Sequence, residues 1–280
     1  MIMSVARIGF DRGREEFRQG LPLVFNYVFF PSVALVVMFF LRGVRLGDSG
    51  ASLSTYAIPG ILAINVVFSG LMGLATILIT EREDGTLLRA RSLPYGIHAY
   101  LIGKLVSQTA ITLVTVAVII AEATLLFGGF VATDLSNLAH LLWILPLGLA
   151  ATLPFGAALG AAVKNPRNLS FVSLSLMGVV SVSGVLYPLG QQALWMQWLG
   201  QATPLYWLGL AFRGGLLGDG AASAEIGGTW RLAETAAVLG VWSIVGTATA
   251  VLVLRRTSRR RGGSRTSRPR HSSPAITPAS

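Results

Sequence analysis

A dense group of charged side chains, set between two long apolar runs of this 280-residue chain, is a polar insert over residues 80–94. It runs Thr80, Glu81, Arg82, Glu83, Asp84, Gly85, Thr86, Leu87, Leu88, Arg89, Ala90, Arg91, Ser92, Leu93 and Pro94, with Gly103-Lys104 close behind. Apolar runs flank it: 56–79 carries no charge, and 99–127 carries only Lys104 and Glu122. Carboxylates and guanidinium groups at this density make charge-assisted hydrogen bonds to a polar partner rather than covalent chemistry. The blandest reading is a solvated loop at a membrane exit. The local pattern supports a docking element. Gly85-Thr86 gives a break followed by an N-cap type, good helix formers fill 87–93, and Pro94 discourages continuation. The expected result is a short helix across the exits of two apolar helices, with Arg89 and Arg91 projecting into the aqueous phase.

Other chemistries find little support. A phosphate-binding loop needs a glycine-rich turn ending in Gly-Lys-Ser/Thr. Gly103-Lys104 is the one Gly-Lys pair, and Leu105 follows it, so ATP hydrolysis by this chain is not expected. His98, His140 and His271 are scattered, which suits neither a nucleophilic triad nor a metal site, and the chain has no cysteine. Lys104 reads as an interfacial marker whose stem snorkels. Glu122 is the one acid deep in an apolar run and therefore a candidate to line a path through the membrane, together with Asn65. A pairing of Glu122 with Arg42 or Arg213, or contact with interfacial water, is the blander account.

The elements that must position these residues follow from composition. The chain is 53% hydrophobic and only 12% charged, about half the charge of a soluble domain. Several apolar runs exceed the ~18–20 residues that cross a bilayer. The fold class expected is all-α and polytopic, with six membrane helices near 21–41, 56–79, 99–127, 138–163, 168–187 and 234–254. Pro31 suggests a kink in the first. Asn65, Ser69, Gly70 and Gly73 suit close contact of the second, and Gly156 and Gly160 are a small-residue pair in the fourth. Residues 1–20 carry too many charges for a secretory signal. Met3, Ala6, Phe10, Gly13 and Phe17 form one stripe, and Arg7, Asp11, Arg14 and Arg18 another, as in an interfacial amphipathic helix whose basic residues reach anionic headgroups.

Residues 188–230 hold Trp195, Trp198, Trp207 and Trp230 with Pro188 and Pro204. Tryptophan favours the headgroup level, so 194–199 and 205–210 read as short helices that dip into the interface without crossing. Residues 255–280 carry eight arginines and no acid, and read as a disordered basic tail. Eight of the ten net positive charges reside in that tail, so a nucleic-acid partner does not follow. With the N-terminus inside, eighteen Lys/Arg fall on inner segments and four on outer ones. The positive-inside rule therefore places both termini and the polar insert in the cytoplasm, in a plasma-membrane protein.

Glu81-Arg82-Glu83, Gly85-Thr86-Leu87, Pro94 and Gly103-Lys104 together resemble the signature of type-2 permease subunits of ATP-binding-cassette exporters, and within them the daunorubicin-resistance-type drug-export permeases. Leu88 departs from the family, many of whose members carry Glu or another polar residue there. The resemblance implies that residues 80–94 are a coupling helix seated in a separate ATPase subunit, which holds ATP and Mg²⁺, while this chain is non-catalytic and binds no cofactor. ATPase-coupling roles would fall to Glu81, Arg82, Glu83, Gly85, Thr86, Leu87, Arg89, Arg91 and Pro94. It further implies a second permease copy or relative, a connecting helix at 1–20, and an outer re-entrant segment with Trp195, Trp198, Pro204, Tyr206 and Arg213. Thr203 stands where many members have Asn. The expected substrate is a hydrophobic drug, natural product or lipid-like molecule, with a lipid-linked polysaccharide as the alternative. A self-contained proton-coupled carrier or membrane-embedded enzyme is the competing class. A carrier would show several midplane acids or a repeat between halves, and the sequence shows one acid and no clear repeat.

Overall fold

The computed structural model describes residues 2–19, 21–45, 52–84, 96–128, 135–163, 165, 167–217 and 219–263. Every regular element among them is helical. In chain order they are α1 (Ile2–Gln19), α2 (Leu21–Phe40), α3 (Leu53–Glu83), α4 (Gly96–Phe127), α5 (Leu135–Ala162), α6 (Arg167–Val182), α7 (Leu194–Gln201), α8 (Pro204–Leu216) and α9 (Leu232–Gly263). Four segments are long and apolar enough to cross a bilayer: Leu53–Glu83, Ala99–Phe127, Ala139–Ala162 and Leu232–Arg256. The two remaining expected spans are represented by Tyr27–Phe40 within α2 and by Arg167–Val182, and neither of these described apolar stretches reaches that length.

α3 is the central helix, and its sequence explains why. Ser52 caps its start by accepting the Thr55 N–H at 3.2 Å. Residues 53–68 are almost all buried, among them Tyr56, Ile58, Leu62 and Val66. At Ser69–Gly73 the helix widens into one π-turn before regular winding resumes at Leu74. Small residues let neighbours come close there. The backbone carbonyls of Gly70 and Leu71 lie where a Cβ on Gly156 would be, and Gly160 sits against Leu78 and Ala75. The Gly156/Gly160 pair is thus consumed inside the chain, holding α5 to α3.

α8 closes the other half of α3. Pro204 stands at its first turn, where a missing N–H costs nothing, and nearly all of its side chains are buried. Leu208 fills the space beside Gly148 of α5. Gly60 of α3 lies against the Val185 carbonyl so tightly that a Cβ would overlap it. Gly60→Ala is expected to cost about 1–3 kcal/mol, since backbone rather than a flexible side chain must yield. A lowered midpoint of thermal unfolding in detergent checks this, and a wild-type midpoint would refute the close approach.

The structure corrects several boundaries. α6 ends at Val182, five residues before the expected 187, because Gly184 adopts φ +66° and the Ser183 hydroxyl, which donates to the Val180 carbonyl, accepts the Val185 N–H. α9 continues past 254 to Gly263, so the first part of the expected disordered tail is helix. Arginine is a good helix former and is favoured near a helix C-terminus, and the glycine pair at 262–263 ends the run. Of the four tryptophans expected at headgroup level, only Trp195 and Trp198 are exposed, at 64% and 75%. Trp207 and Trp230 are buried, because α8 and the strap before α9 are part of the core.

Candidate functional site

Glu81, Arg82 and Glu83, at the start of the insert, form the last turn of α3. Gly85, Thr86, Leu87, Arg89, Arg91 and Pro94 lie outside the described residues, as does the expected short helix at 87–93. What is described is the frame on both sides of them, Asp84 on one and Gly96 on the other.

That frame is held by a cluster of charges gathered around a buried lysine. Lys104, on the second turn of the Ala99–Phe127 span, is only 7% exposed. Its ammonium pairs with Glu81 of α3 and lies 3.0 Å from Glu16 of α1. Tyr100, one turn before Lys104 on α4, donates its hydroxyl to the second oxygen of Glu81 at 2.6 Å. Arg12 closes the circuit, donating to Glu16 at 3.0 Å with its guanidinium 5.3 Å from the Tyr100 ring centre. Two acids and two bases from three helices therefore neutralise one another. The expected snorkelling lysine is instead an internal linchpin, because carboxylates from two neighbouring helices reach it where water is scarce.

α1 can bring Glu16 to this place because its inner face has no bulk. Gly9 and Gly13 are buried against Ala99, Ile102, Gly103 and Val106 of α4. A Cβ on Gly13 would lie 2.7 Å from the Gly103 carbonyl oxygen. Two glycines that weaken an isolated helix thus create its contact surface.

Arg82 points the other way. Its guanidinium donates to the carbonyls of Gly160, at 3.3 Å, and Val163, which are orphaned at the C-terminal end of α5. A cation there also opposes the negative end of the helix dipole. Glu81 and Arg82, adjacent in sequence, thus clamp the end of α3 to α1 and α4 on one side and to α5 on the other. Glu83 and Asp84 are exposed. The described ends on either side of residues 85–95 are thus fastened to a knot of four helices.

Above this knot a ladder of polar contacts joins α2, α3 and α4. Gln108 donates to the Ser69 hydroxyl at 2.8 Å and carbonyl at 3.1 Å, and the Ser69 and Thr112 hydroxyls are 2.6 Å apart. Asn65 donates to the Tyr27 carbonyl at 3.0 Å and accepts from Thr115 at 3.1 Å. Glu122 lies about two turns beyond Thr115 on α4. It accepts a hydrogen bond from Ser32 at 2.7 Å and pairs with neither Arg42 nor Arg213. Arg42 covers the Phe39 ring instead. Asn65 and Glu122 are therefore not brought into one site, although both fasten α2 to its neighbours.

At the opposite end of α3, Arg213 is fully buried and pairs with Glu225 at 2.5 Å. It also donates to the carbonyls of Gly184, at 2.9 Å, and Gly209, at 3.3 Å. Tyr56 donates to the Ala221 carbonyl at 2.6 Å. Trp207 donates to the Gln201 carbonyl at 2.7 Å, closing the turn from α7 to α8, while Tyr206 is fully buried beside it. Burial pushes the Glu225 carboxyl up, and the adjacent guanidinium opposes that rise. Trp195 and Trp198 share an outward face of α7 with Leu194 and Leu199.

Sequence reasoning missed Glu16, Tyr100 and Glu225 as polar partners. The available signal was electrical: a lone Lys104 and a lone Arg213 in apolar surroundings each require an acid, but spacing does not say which.

A model of the family described as ABC-2 type transporter matches residues 20–217. No curated protein matches the chain.

Proposed function

The chain belongs to the ABC-2 type transporter family, and from that premise we propose that it is the permease subunit of an exporter driven by a separate ATPase. Two copies, or this chain and a relative, sit in the plasma membrane with both termini cytoplasmic. ATP and Mg²⁺ are held by the partner subunits. Their closure pushes on residues 80–94, and the membrane helices then change the side to which their cleft opens. The substrate is a hydrophobic drug, natural product or lipid-like molecule, as in the daunorubicin-type permeases that the charged motif resembles.

The observation that carries this reading is the knot around Lys104. A lever needs stiff attachment at both ends, and the insert leaves α3 and re-enters α4 within one turn of Glu81 and two turns of Lys104, which are paired with each other. Glu83, exposed at the edge of the insert, is free of the knot and available to a partner.

The test is a complex of the chain with its ATPase, reconstituted in vesicles. Glu83→Lys and Gly85→Pro are each expected to lower transport per ATP hydrolysed by about tenfold, corresponding to about 1.4 kcal/mol of lost coupling. Membrane levels of the chain should not change. Wild-type transport per ATP in both variants would remove the coupling assignment.

A further inference from the structure

We propose that the groove between α1 and the outward side of α4 binds one anionic phospholipid, with an acyl chain in the groove and the phosphate on the arginines of α1. The groove has a volume of about 380 Å³ and is lined by Phe10, Leu105, Val106, Thr109, Ala110 and Leu113. Leu105, Thr109 and Leu113 follow one another at four-residue spacing, so the groove runs about 12 Å along a spanning helix, the direction in which lipid chains lie. Thr109 and Ala110 keep its floor low, and Phe10, 57% exposed, forms a wall from α1.

Charge selects the headgroup. Arg7 and Arg14 stand three residues before and four after Phe10, on the stripe that adjoins its own, and so flank the wall of the groove. They and Arg18 are exposed, and none of the three is in an ion pair among the described residues. Arg12, by contrast, is committed to Glu16 and Tyr100. Asp11 is the one acid on the arginine stripe, leaving it an excess of positive charge. α1 crosses α4 in the first turns of the Ala99–Phe127 span, which sets these arginines near headgroup depth. Guanidinium groups bind phosphate oxygens through paired, charge-assisted hydrogen bonds. A zwitterionic headgroup brings its own cation to the same place and is disfavoured.

The experiment is native mass spectrometry of the detergent-solubilised full chain, titrated with phosphatidylglycerol or with phosphatidylcholine of the same acyl chains. Phosphatidylglycerol is expected to bind at least about fivefold more tightly, and Arg7→Gln/Arg14→Gln to remove most of that preference. Arginines elsewhere, including the eight after residue 254, also attract anionic lipid, so the difference between the chain and this double variant is the decisive quantity. Ala110→Phe, which fills the groove, should weaken both lipids. Should that variant fail to fold, the surface arginine variant still decides. Equal binding of the two lipids, or an undiminished preference in the double variant, overturns the proposal. So does displacement of phosphatidylglycerol by millimolar inorganic phosphate, which would indicate a phosphate site without a lipid chain. No ATPase enters the assay, so its failure would leave the proposed export role untouched.

Discussion

Arg213→Met is expected to lower the unfolding free energy of the chain by about 3–5 kcal/mol, because it strands a buried carboxylate. Both partners of the Arg213–Glu225 pair have side chains with no solvent exposure. The guanidinium also serves the carbonyls of Gly184, which loses this donor in the variant, and of Gly209, which keeps its helical partner. The pair fastens the strap before α9 and the turn after α6 onto α8 at one point, and the loss should therefore be cooperative rather than local. Arg213→Met/Glu225→Leu should recover much of the stability, since a well-packed apolar pair of similar size avoids the desolvation cost of both ions. Thermal unfolding in detergent followed by circular dichroism measures the cycle. Additive single and double variants would show that the pair contributes no coupling energy.

The same variant carries a pH signature. Burial already raises the Glu225 carboxyl, and removal of Arg213 takes away the influence that opposes the rise. In Arg213→Met the folded chain then holds a proton on Glu225 at pH values where the unfolded chain has released it. Its stability defect should shrink as the pH falls toward the carboxylate range and grow as the pH rises. A defect that is constant between pH 5 and pH 8 would contradict an unpaired buried carboxylate.

Lys104→Met is the second large effect. It leaves Glu16 and Glu81 facing each other without the ammonium between them, and Tyr100 as the remaining donor to Glu81. Glu81 is 22% exposed, so water relieves part of the strain, and a cost of about 3 kcal/mol is expected. Adding Glu81→Gln removes the surplus charge and should restore most of the stability. It should not restore transport per ATP in the reconstituted complex, because α1, α3 and α4 would no longer share one cation. If Lys104→Met/Glu81→Gln regains both stability and transport per ATP, the knot is a folding device and transmits nothing.

Much of the fold was legible because membrane helices are locally encoded. Leu53–Glu83, Ala99–Phe127 and Ala139–Ala162 announce themselves as apolar runs whose backbone must satisfy itself within the segment. The errors fell where neighbours overrode local pattern. Trp207 and Trp230 look interfacial in a window of sequence, but the core formed by α3, α5 and α8 buries them. The π-turn at Ser69–Gly73 has no proline to mark it. Its two glycines and a serine read only as a close-packing surface, and the partners that use it, Thr152 and Gly156 on α5 and Gln108 on α4, come from other helices.

From the amino-acid order alone came the membrane-helix character, the places where apolar runs are interrupted by charge, and the motif beside Gly103-Lys104 that points to the ABC-2 type transporter family. Each is a property of a short window: hydropathy over a span, charge at its ends, residue identity at fixed spacing. Tertiary structure alone decided the partners of the buried charges, joining Lys104 to Glu16 and Glu81, Arg213 to Glu225, and Glu122 to Ser32. A lone ion in an apolar segment demands compensation, but any acid that the packing brings near can supply it. Helix crossing geometry, set by where glycines let backbones approach, makes that choice.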